Sequence, residues 1–311
     1  MDAAHRITID PALCVGCGMC ARVCPVGALT LRDGLAVLTG TESIACGHCQ
    51  AVCPASAITV SALDPDMGRF ETISIDPAGE TRAADDAWLP AGQSDMAALA
   101  RLMRSRRSCR NYHDRPVPGA MLDDLIKLGV SAPSGCNAQR WTFTILPDRS
   151  AVVSLAGAIA DFFRRLNRTA ERALLRKALR LVGKPELDDY FREHHASVQR
   201  ALEQWDQEGR DLLFHGAPAV IVVGTAQGAP CPKEDALLAT GQMLLAAHAM
   251  GLGSCLIGYA VAAMAAEPAI ARGLGIPAGE TVHAVMALGW PNERYERVAG
   301  RLRPVVRRVS G

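Results

Sequence analysis

The sequence predicts an α+β protein made of a small cysteine-rich unit over residues 1–62, an acidic linker over residues 63–95 and a larger layered domain over residues 96–311. Three observations support this prediction. The chain has 311 residues, which is enough for two domains. Seven of its eleven cysteines lie before residue 54. After Met96, helical and strand-like patterns alternate, as they do in layered domains that contain both kinds of element.

The composition is that of a globular protein, with 49% hydrophobic residues, 21% charged residues and a formal net charge of +1. Such a charge gives no indication of nucleic-acid or membrane binding. No apolar run approaches the roughly 20 residues of a membrane span, and the polar segment Met1–Asp10 lacks the apolar core of a signal peptide. We therefore expect a soluble cytoplasmic protein that binds neither membranes nor nucleic acids.

The first unit contains an internal repeat and four predicted strands. Cys-Pro-Val-Gly-Ala-Leu-Thr at 24–30 is echoed by Cys-Pro-Ala-Ser-Ala-Ile-Thr at 53–59. Asp33 and Gly34 form the turn of a predicted hairpin. The strands are expected at Arg6–Ile9, Ala28–Leu31, Leu35–Leu38 and Ala57–Val60.

The linker carries six aspartates with proline and glycine between them, and one short strand is expected at Glu71–Ile75. Beyond it, helices are predicted at Met96–Arg106, at Gly119–Ser131, over most of residues 151–213 and at Asp235–Met250. Strands are predicted at Trp141–Leu146, Ala219–Val223 and Val282–Leu288. These strands are expected to form one sheet flanked by the helices.

The first cysteine motif indicates an iron–sulfur cluster. Its members are Cys14, Cys17, Cys20 and Cys24, followed by Pro25, which is the spacing of bacterial ferredoxins. Thiolates at this spacing can bind three corners of a cubane, and the fourth cysteine points to a second cluster. A zinc site and a buried cysteine cluster are the alternatives, but zinc favours two separated C-x-x-C pairs.

The second motif is incomplete. It contains Cys46, Cys49 and Cys53 before Pro54, and Ser43 stands where a first cysteine is expected. The crossed ligation of two-cluster ferredoxins implies one cluster on Cys14, Cys17, Cys20 and Cys53, and a second on Cys24, Cys46 and Cys49. The second would be serine-ligated through Ser43, be a 3Fe–4S cluster, or hold its last iron through water or another side chain. We expect His48, which lies between two ligands, to face solvent or donate to a sulfur rather than bind iron.

Three motifs of the larger domain resemble those of nitroreductases. Arg106-Arg107-Ser108-Cys109-Arg110 resembles their R-R-S-x-R signature. Residues 132–139 resemble their A-P-S-x-x-N-x-Q stretch, although Arg140 replaces the usual proline, and Gly251–Gly258 resembles their glycine-rich flavin loop. With its N-terminal unit, the whole chain is similar to ferredoxin–nitroreductase fusions. The resemblance implies a nitroreductase-like domain with a mixed sheet, bound FMN and two 4Fe–4S clusters.

The resemblance also implies a set of FMN-binding residues. Arginines suit a phosphate because they form bidentate hydrogen bonds, and amide or hydroxyl groups suit the ring and ribityl oxygens. Taken without the resemblance, the same strings are a charged helix end, a turn and a helix C-cap. The phosphate residues are Arg106, Arg107, Ser108 and Arg110, with Arg301 and Arg303 from the basic tail. The remaining residues are Pro133, Ser134, Asn137 and Gln139, with Leu256, Ile257 and Gly258 bringing backbone N–H groups to the flavin N5 edge.

Partners are suggested by two helical stretches. The family places FMN at a homodimer interface, and the apolar helix Leu237–Met250 is a candidate for the dimer face. Residues 162–184 contain eight basic residues against one acid, Glu171, with Leu166, Ala170, Leu174 and Leu181 on one predicted face. A solvated amphipathic helix and a docking surface for an acidic electron donor such as ferredoxin are the two interpretations.

The predicted function is that of an FMN-dependent oxidoreductase of nitroreductase type, an enzyme whose clusters feed electrons to the flavin. The resemblance implies a small organic acceptor such as a nitro compound or a quinone, and residues 150–212 are expected to help shape its pocket. No side chain is assigned as a catalytic acid, base or nucleophile. Two alternatives stay open: an electron relay to a protein partner, and an NAD(P)H-dependent flavin reductase with structural clusters.

Overall fold

The N-terminal part of the computed structural model is built from two small antiparallel sheets and two short helices. The structure describes residues 7–39, 43–73 and 88–309, so Arg6 of the first predicted strand lies outside it. Strand β1, Ile7–Ile9, pairs with β4, Ile58–Val60, and β2, Leu29–Arg32, pairs with β3, Leu35–Leu38. Helices α1, Met19–Val23, and α2, His48–Ala51, follow the two cysteine loops.

The predicted hairpin is confirmed. Asp33 and Gly34 have φ angles of 50° and 79°, the left-handed pair that a tight hairpin turn requires. The apolar side chains of Ile7, Leu29 and Ile58 pack with the buried thiols of Cys20 and Cys49. The core of this N-terminal unit (residues 7–60) therefore includes two of its own predicted ligands.

The described part of the linker forms no strand and is hydrogen-bonded to the next part of the chain. Residues Pro65–Gly68 form a 3₁₀ helix. Glu71 and Thr72 form a bend, and both donate their backbone N–H groups to the buried carboxylate of Asp124. The strand expected at Glu71–Ile75 is therefore wrong over residues 71–73, and residues 74–75 lie outside the described part of the chain.

The C-terminal unit (residues 96–309) contains a four-stranded sheet. Its strands are β5, Trp141–Leu146; β6, Ala219–Ala226; β7, Gly253–Leu256; and β8, Glu280–Gly289. They are arranged in the order β5-β6-β8-β7, with antiparallel pairing throughout. The parallel component of this sheet is a single bridge between Ser108 and Ser254.

Helices cover both faces of this sheet. They are α3, Met96–Ser105; α4, Gly119–Gly129; α5, Arg149–Ala170; α6, Ala173–Leu181; α7, Glu186–Glu193; α8, His195–Glu208; α9, Pro232–Ala249; α10, Gly258–Ala266; and α11, Pro268–Gly273. Alternate residues of β6 face opposite ways: Ile221 packs in the core with α4 and α9, whereas Val220 and Val222 pack in the core with α5 and α10. The layers confirm the predicted α+β class.

The prediction that the apolar residues of the basic stretch, from Leu166 to Leu181, share one continuous helical face is wrong. Helix α5 ends at Ala170, and α6 begins at Ala173 in a new direction. Ala170 is fully buried, but Leu174 and Leu181 are 83% and 88% exposed. The turn between the helices separates side chains that one uninterrupted helix would align.

None of the helices in the described residues is both long enough and apolar enough to cross a membrane.

Candidate functional site

One cavity of the N-terminal unit is lined by four predicted ligands: Cys14, Cys17, Cys20 and Cys53. The sulfur of Cys14 accepts a hydrogen bond from the N–H of Ala36 at 3.4 Å. The N–H groups of Ala36 and Gly16 lower the pKa of the Cys14 thiol because they stabilise the thiolate. These N–H groups therefore favour the thiolate form of Cys14, the form that binds metal.

A second cavity is lined by Cys24, Cys46 and Cys49 together with Ser43. The hydroxyl oxygen of Ser43 accepts a hydrogen bond from the N–H of Ala45 at 3.1 Å. His48 also lines this cavity. The cavity linings do not include Cys109, Cys136, Cys231 or Cys255, and the role of Ser43 as a fourth ligand stays a prediction.

The internal repeat has a structural counterpart. The sulfur of Cys24 accepts the N–H of Ala28, and the sulfur of Cys53 accepts the N–H of Ala57, each at 3.2 Å. Each cysteine loop enters its helix through a left-handed glycine, Gly18 before α1 and Gly47 before α2. These glycines let the backbone curve around each cavity.

The cysteine sets fit polynuclear clusters. Each set surrounds a space, and backbone N–H groups point at the sulfurs, as they do around iron–sulfur clusters. Burial raises the pKa values of the Cys20 and Cys49 thiols, so a metal would have to replace their protons. Across residues 7–39, 43–73 and 88–309, no three histidine, cysteine or acidic side chains converge as ligands of a single ion would.

The arginine motif follows α3 and runs beside β7. Ser108 forms the parallel bridge with Ser254, and the N–H of Cys109 donates to the Ser254 carbonyl at 2.9 Å. A Cβ atom on Gly253 would lie 2.8 Å from that of Cys109. Glycine at 253 is therefore needed for the motif to lie against the strand.

The cationic groups of this motif gather around Cys255. Burial raises the pKa of the Cys255 thiol, while Arg110, the Ser108 hydroxyl and Arg106 lower it. In the described part of the chain, no carboxylate lies within ion-pair distance of Arg106, Arg107 or Arg110. The Glu293 carboxylate lies 3.2 Å from the sulfur of Cys109 without pairing with these arginines, and a positive cluster of this kind suits an anionic group such as a phosphate.

Next to this cluster is a cavity of about 790 Å³. Arg110 and the predicted flavin loop, Leu256–Gly258, line it together. The structure therefore brings two of the motifs to one place although they are far apart in sequence. The remaining lining includes Phe162, Phe163, Tyr190, His194, His215 and Tyr259.

The aromatic residues of this cavity form a connected wall that the sequence analysis did not identify. Phe163 stacks near Tyr190 with ring centroids 6.4 Å apart, and it meets Tyr259 edge-on at 5.6 Å. The Tyr259 hydroxyl lies 3.3 Å from Nδ1 of His194. A second cavity of about 320 Å³ shares Phe163, Tyr259 and His215 with the first. Burial lowers the pKa of His215, which keeps this side chain neutral near pH 7.

The flavin loop uses one of its N–H groups within the fold. The N–H of Ile257 donates to the Val285 carbonyl at 2.8 Å. This N–H is thus already satisfied within the fold, and the assignment of Leu256–Gly258 to the flavin stays a prediction. Gly258 is the first residue of α10, and Gly251, with φ of 81°, lies two residues beyond the end of α9.

The third motif lies elsewhere. Pro133, Ser134, Asn137 and Gln139 do not line the 790 Å³ cavity. The hydroxyl of Ser134 accepts the N–H of Gln139 at 3.0 Å, which closes the turn. Asn137 donates to backbone carbonyls of the N-terminal unit. Arg140, at the position where nitroreductases have proline, donates to the Gln227 carbonyl at 2.7 Å.

The tail arginines are in an exposed segment. Arg301 donates to the carbonyl of Gly300 at 3.2 Å, and neither it nor Arg303 lines the 790 Å³ cavity. The tail side chains of Leu302 and Val309 are 96% and 95% exposed. The structure does not bring the two halves of the expected phosphate site together within one chain.

The basic stretch is partly neutralised. Arg164 pairs with Asp161 and Asp206, and Arg165 pairs with Glu267. Arg176 and Arg180 both pair with Asp188. These acids come from other turns and helices, so the count of basic residues along the sequence overstates the charge of the surface.

The comparisons with known proteins identify a family for each of the two units. The model of the nitroreductase family matches residues 103–290, more than half of the chain. The chain therefore belongs to the nitroreductase family. A 4Fe–4S binding domain matches residues 7–30, so it is a member that carries a ferredoxin-type domain before its flavin domain.

Two relatives are 25% and 30% identical to this chain over the aligned residues. It is 25% identical to the 4-nitrobenzoate reductase of a Nocardioides species over 64% of this chain and 82% of that protein. It is 30% identical to the iodotyrosine deiodinase of Thermotoga neapolitana over 51% of this chain and 73% of that protein. A nitroreductase with bound FMN from Desulfitobacterium hafniense aligns with a TM-score of 0.48 at 19% identity, over 67% and 97% of the two chains.

The family and the N-terminal domain define the class of enzyme. The chain is an FMN-dependent oxidoreductase of nitroreductase type that carries 4Fe–4S clusters.

Proposed function

We propose that this enzyme takes electrons in at its two clusters and uses FMN to reduce a small aromatic acceptor, either a nitro compound or a quinone. The observation that carries this proposal is the 790 Å³ cavity, which is lined both by Arg110 and Leu256–Gly258 and by a group of aromatic rings. A cavity of this size is within the range of small-molecule sites. The proposed units are residues 1–62, the linker 63–95 and residues 96–311.

The residues proposed to hold FMN form two groups. Arg106, Arg107, Ser108 and Arg110 would bind the phosphate, because their charges have no acidic partner among the described residues, and Leu256–Gly258 would line the ring. FMN supplies the exchange between one-electron donors and two-electron acceptors. The tail residues Arg301 and Arg303 are proposed as further phosphate ligands.

The rest of the flavin site is proposed to come from a second copy of the chain. Pro133, Ser134 and Gln139 lie outside the cavity in their own chain. Helix α9 buries Met243 in the core but leaves Leu237 and Leu238 40% and 48% exposed. An apolar helix face of this kind is suited to pairing between copies.

The aromatic wall is proposed to select the acceptor. Phe163, Tyr190 and Tyr259 present ring faces and edges that favour offset or edge-on contact with another aromatic ring. A quinone needs two electrons and two protons to become a hydroquinone. A nitro group needs the same to become a nitroso group and water. The protein contributes position and exclusion of water rather than a covalent step.

The test is an anaerobic purification with a visible spectrum, followed by reduction with NADH, NADPH and reduced ferredoxin in parallel. Turnover is then measured with a nitroaromatic compound and a quinone. The matched control is Cys17→Ala combined with Cys46→Ala, which removes one ligand from each cluster. We expect reduction by ferredoxin in the native protein and its loss in the control, while dithionite still bleaches the flavin of both.

A second candidate is a flavin reductase that uses NAD(P)H directly. It is favoured by a relative from Thermus thermophilus that is named an NADH dehydrogenase and is 28% identical over 67% of this chain and 91% of that protein. Rapid bleaching of FMN by NADH or NADPH in the cluster-less control would support this candidate. Reduced clusters with little turnover of either acceptor would instead indicate an electron relay to a protein partner.

A further inference from the structure

Asn137 connects the two units of the chain directly. Its Nδ2 donates to the backbone carbonyl of Ile44 at 3.0 Å and to that of Ala45 at 3.1 Å. Carbonyl oxygens can only accept hydrogen bonds, so these partners fix which end of the amide faces them. The resemblance assigns Asn137 to the flavin. In the structure, its Nδ2 group is hydrogen-bonded to the N-terminal unit instead.

The two carbonyls belong to the loop of one particular cluster. Ile44 and Ala45 line the cavity of Ser43, Cys46 and Cys49, and they do not line the cavity of the Cys14 set. Ala45 is buried and has a φ of 47°, a left-handed conformation that alanine rarely adopts. Its N–H donates a hydrogen bond to Ser43, and its carbonyl accepts one from Asn137. Hydrogen bonds on both sides therefore stabilise this strained residue.

The other side of the contact is equally constrained. Cys136, Asn137 and Gln139 have φ angles of 51°, 52° and 48°. The N–H of Gly135 donates to Oδ1 of Asp235 at 2.9 Å, and Asp235 is only 2% exposed. A Cβ atom on Gly135 would lie 3.0 Å from the sulfur of Cys231, so a larger residue would require the Cys231 side chain to shift. Asn137 therefore projects from a rigid platform on the C-terminal unit.

We propose that Asn137 is a positioning residue that holds the Ser43 cluster loop against the C-terminal unit, which makes this cluster the inner one and the Cys14 cluster the outer one. The inference rests on the proposed function, because it names the cluster from which electrons enter the flavin domain. Bound clusters would supply one-electron transfer here: an external one-electron donor would provide both electrons, and the Ser43 loop, held by Asn137, would carry the cluster from which they reach the flavin and then the acceptor. No bond forms or breaks between the two cluster sites.

The variant that tests the proposal is Asn137→Asp. Aspartate has the same shape and also tolerates a positive φ, but it presents oxygens to two carbonyl oxygens and cannot donate. The loss of two hydrogen bonds lowers the equilibrium constant for docking of the Ser43 loop by roughly tenfold or more. We expect hydrogen exchange to rise by about that factor in the peptide 43–49 and to stay unchanged in the peptide 14–20. The paramagnetic resonance signal of the Ser43 cluster should shift, and that of the Cys14 cluster should not.

The charge-matched control is Gln207→Glu, which adds the same negative charge on an exposed side chain of α8 that lines neither cluster cavity. It should leave exchange in the peptide 43–49 unchanged. If Asn137→Asp folds poorly, Asn137→Gly keeps the backbone conformation, removes the amide and gives the same test.

Three results would overturn the proposal: unchanged exchange in the peptide 43–49, an equal effect of both substitutions, or a shift confined to the Cys14 cluster. Failure of the proposed function is distinguishable, because the native clusters would then be reduced without reducing the flavin, whatever Asn137→Asp does to the loop. Under the proposal, stopped-flow reduction of the flavin through the clusters slows by roughly tenfold in Asn137→Asp. Direct bleaching by dithionite stays at the native rate.

Discussion

The two units of this chain assemble their sites in different ways. In the N-terminal unit, cysteines that are close in sequence line two complete cavities within one chain. In the C-terminal unit, Arg110 meets Leu256–Gly258, but residues 133–139 and the tail arginines lie elsewhere. The difference teaches that ligand spacing predicts a site when all ligands come from short loops. It predicts only a fragment when the site needs distant segments or a second copy.

The largest effect is expected from Cys24→Ala, which tests whether the two cavities divide the cysteines as the structure does. The Ser43 set would keep only two thiolates, so its cluster should be lost and the iron content should fall to roughly half. Iron analysis and electron paramagnetic resonance measure this. The remaining signal should be that of an ordinary 4Fe–4S cluster, and Cys231→Ala should change neither measurement. Loss of the ordinary signal instead would show that Cys24 belongs to the other set.

A smaller effect is expected from Arg106→Ala and Arg301→Ala, which test the divided flavin site. Removing one charge-assisted phosphate contact should weaken FMN retention by roughly 10- to 100-fold while the clusters persist. Flavin content after gel filtration measures the effect, and Arg101→Ala on exposed α3 is the control. Normal flavin content in both variants would reject the assignment. If a mixture of the two variants regains flavin, the two arginines act from different copies of the chain.

A spectroscopic change without loss of a cluster is expected from Ser43→Cys. Ligand identity and local charge set the potential of a cluster, so the native protein should show two distinct signals. The substitution should make the Ser43 signal resemble that of the Cys14 cluster. Cys136→Ser is the control, because Cys136 is next to the residue that contacts this loop. Two indistinguishable all-thiolate clusters in the native protein would refute the idea and indicate a remote cysteine ligand.

The smallest effect is expected for docking of an acidic electron donor. Several arginines of the basic stretch are paired, but Arg168, Arg172, Lys177 and Lys184 have no ion-pair partner among the described residues. Reduction by ferredoxin should slow about 2- to 5-fold as salt rises, because screening shortens to roughly 3 Å at 1 M. Arg172→Glu with Lys177→Glu should remove this dependence, whereas Arg272→Glu should not. A rate that does not depend on salt concentration would contradict the docking surface and favour the interpretation of the basic stretch as a solvated surface.

Most of the regular structure could be predicted from local patterns. The hairpin around Asp33 and Gly34 follows from its turn residues, and Trp141–Leu146 from its apolar and β-branched pattern. The break between α5 and α6 could not be predicted. Both helices have suitable residues, and the turn between them places Ala170 in the core, which is a tertiary requirement.

Much of the candidate site is formed by contacts between residues that are distant in sequence. Such contacts produce no recognisable spacing pattern in the sequence. The aromatic wall combines Phe163 of α5, Tyr190 of α7 and Tyr259 of α10. The contact between Asn137 and Ile44 joins residues 93 positions apart. Such contacts arise from how helices and loops pack, and no single segment shows the pattern.

The hydrogen bonds between the linker and α4 keep each N-terminal unit close to its own C-terminal unit. This closeness affects the rate of electron transfer between the two units. The carboxylate of Asp124 accepts hydrogen bonds from the N–H groups of Glu71 and Thr72 and from the Thr72 hydroxyl, and Lys127 donates to the Arg69 carbonyl at 2.7 Å. This attachment shortens the free tether between the two units. Each N-terminal unit is then present near its own flavin domain at an effective concentration on the order of millimolar or above. Dilution that keeps the proposed pair of copies together would leave electron transfer between the joined units unchanged, whereas the same unit supplied as a separate fragment would be limited by diffusion.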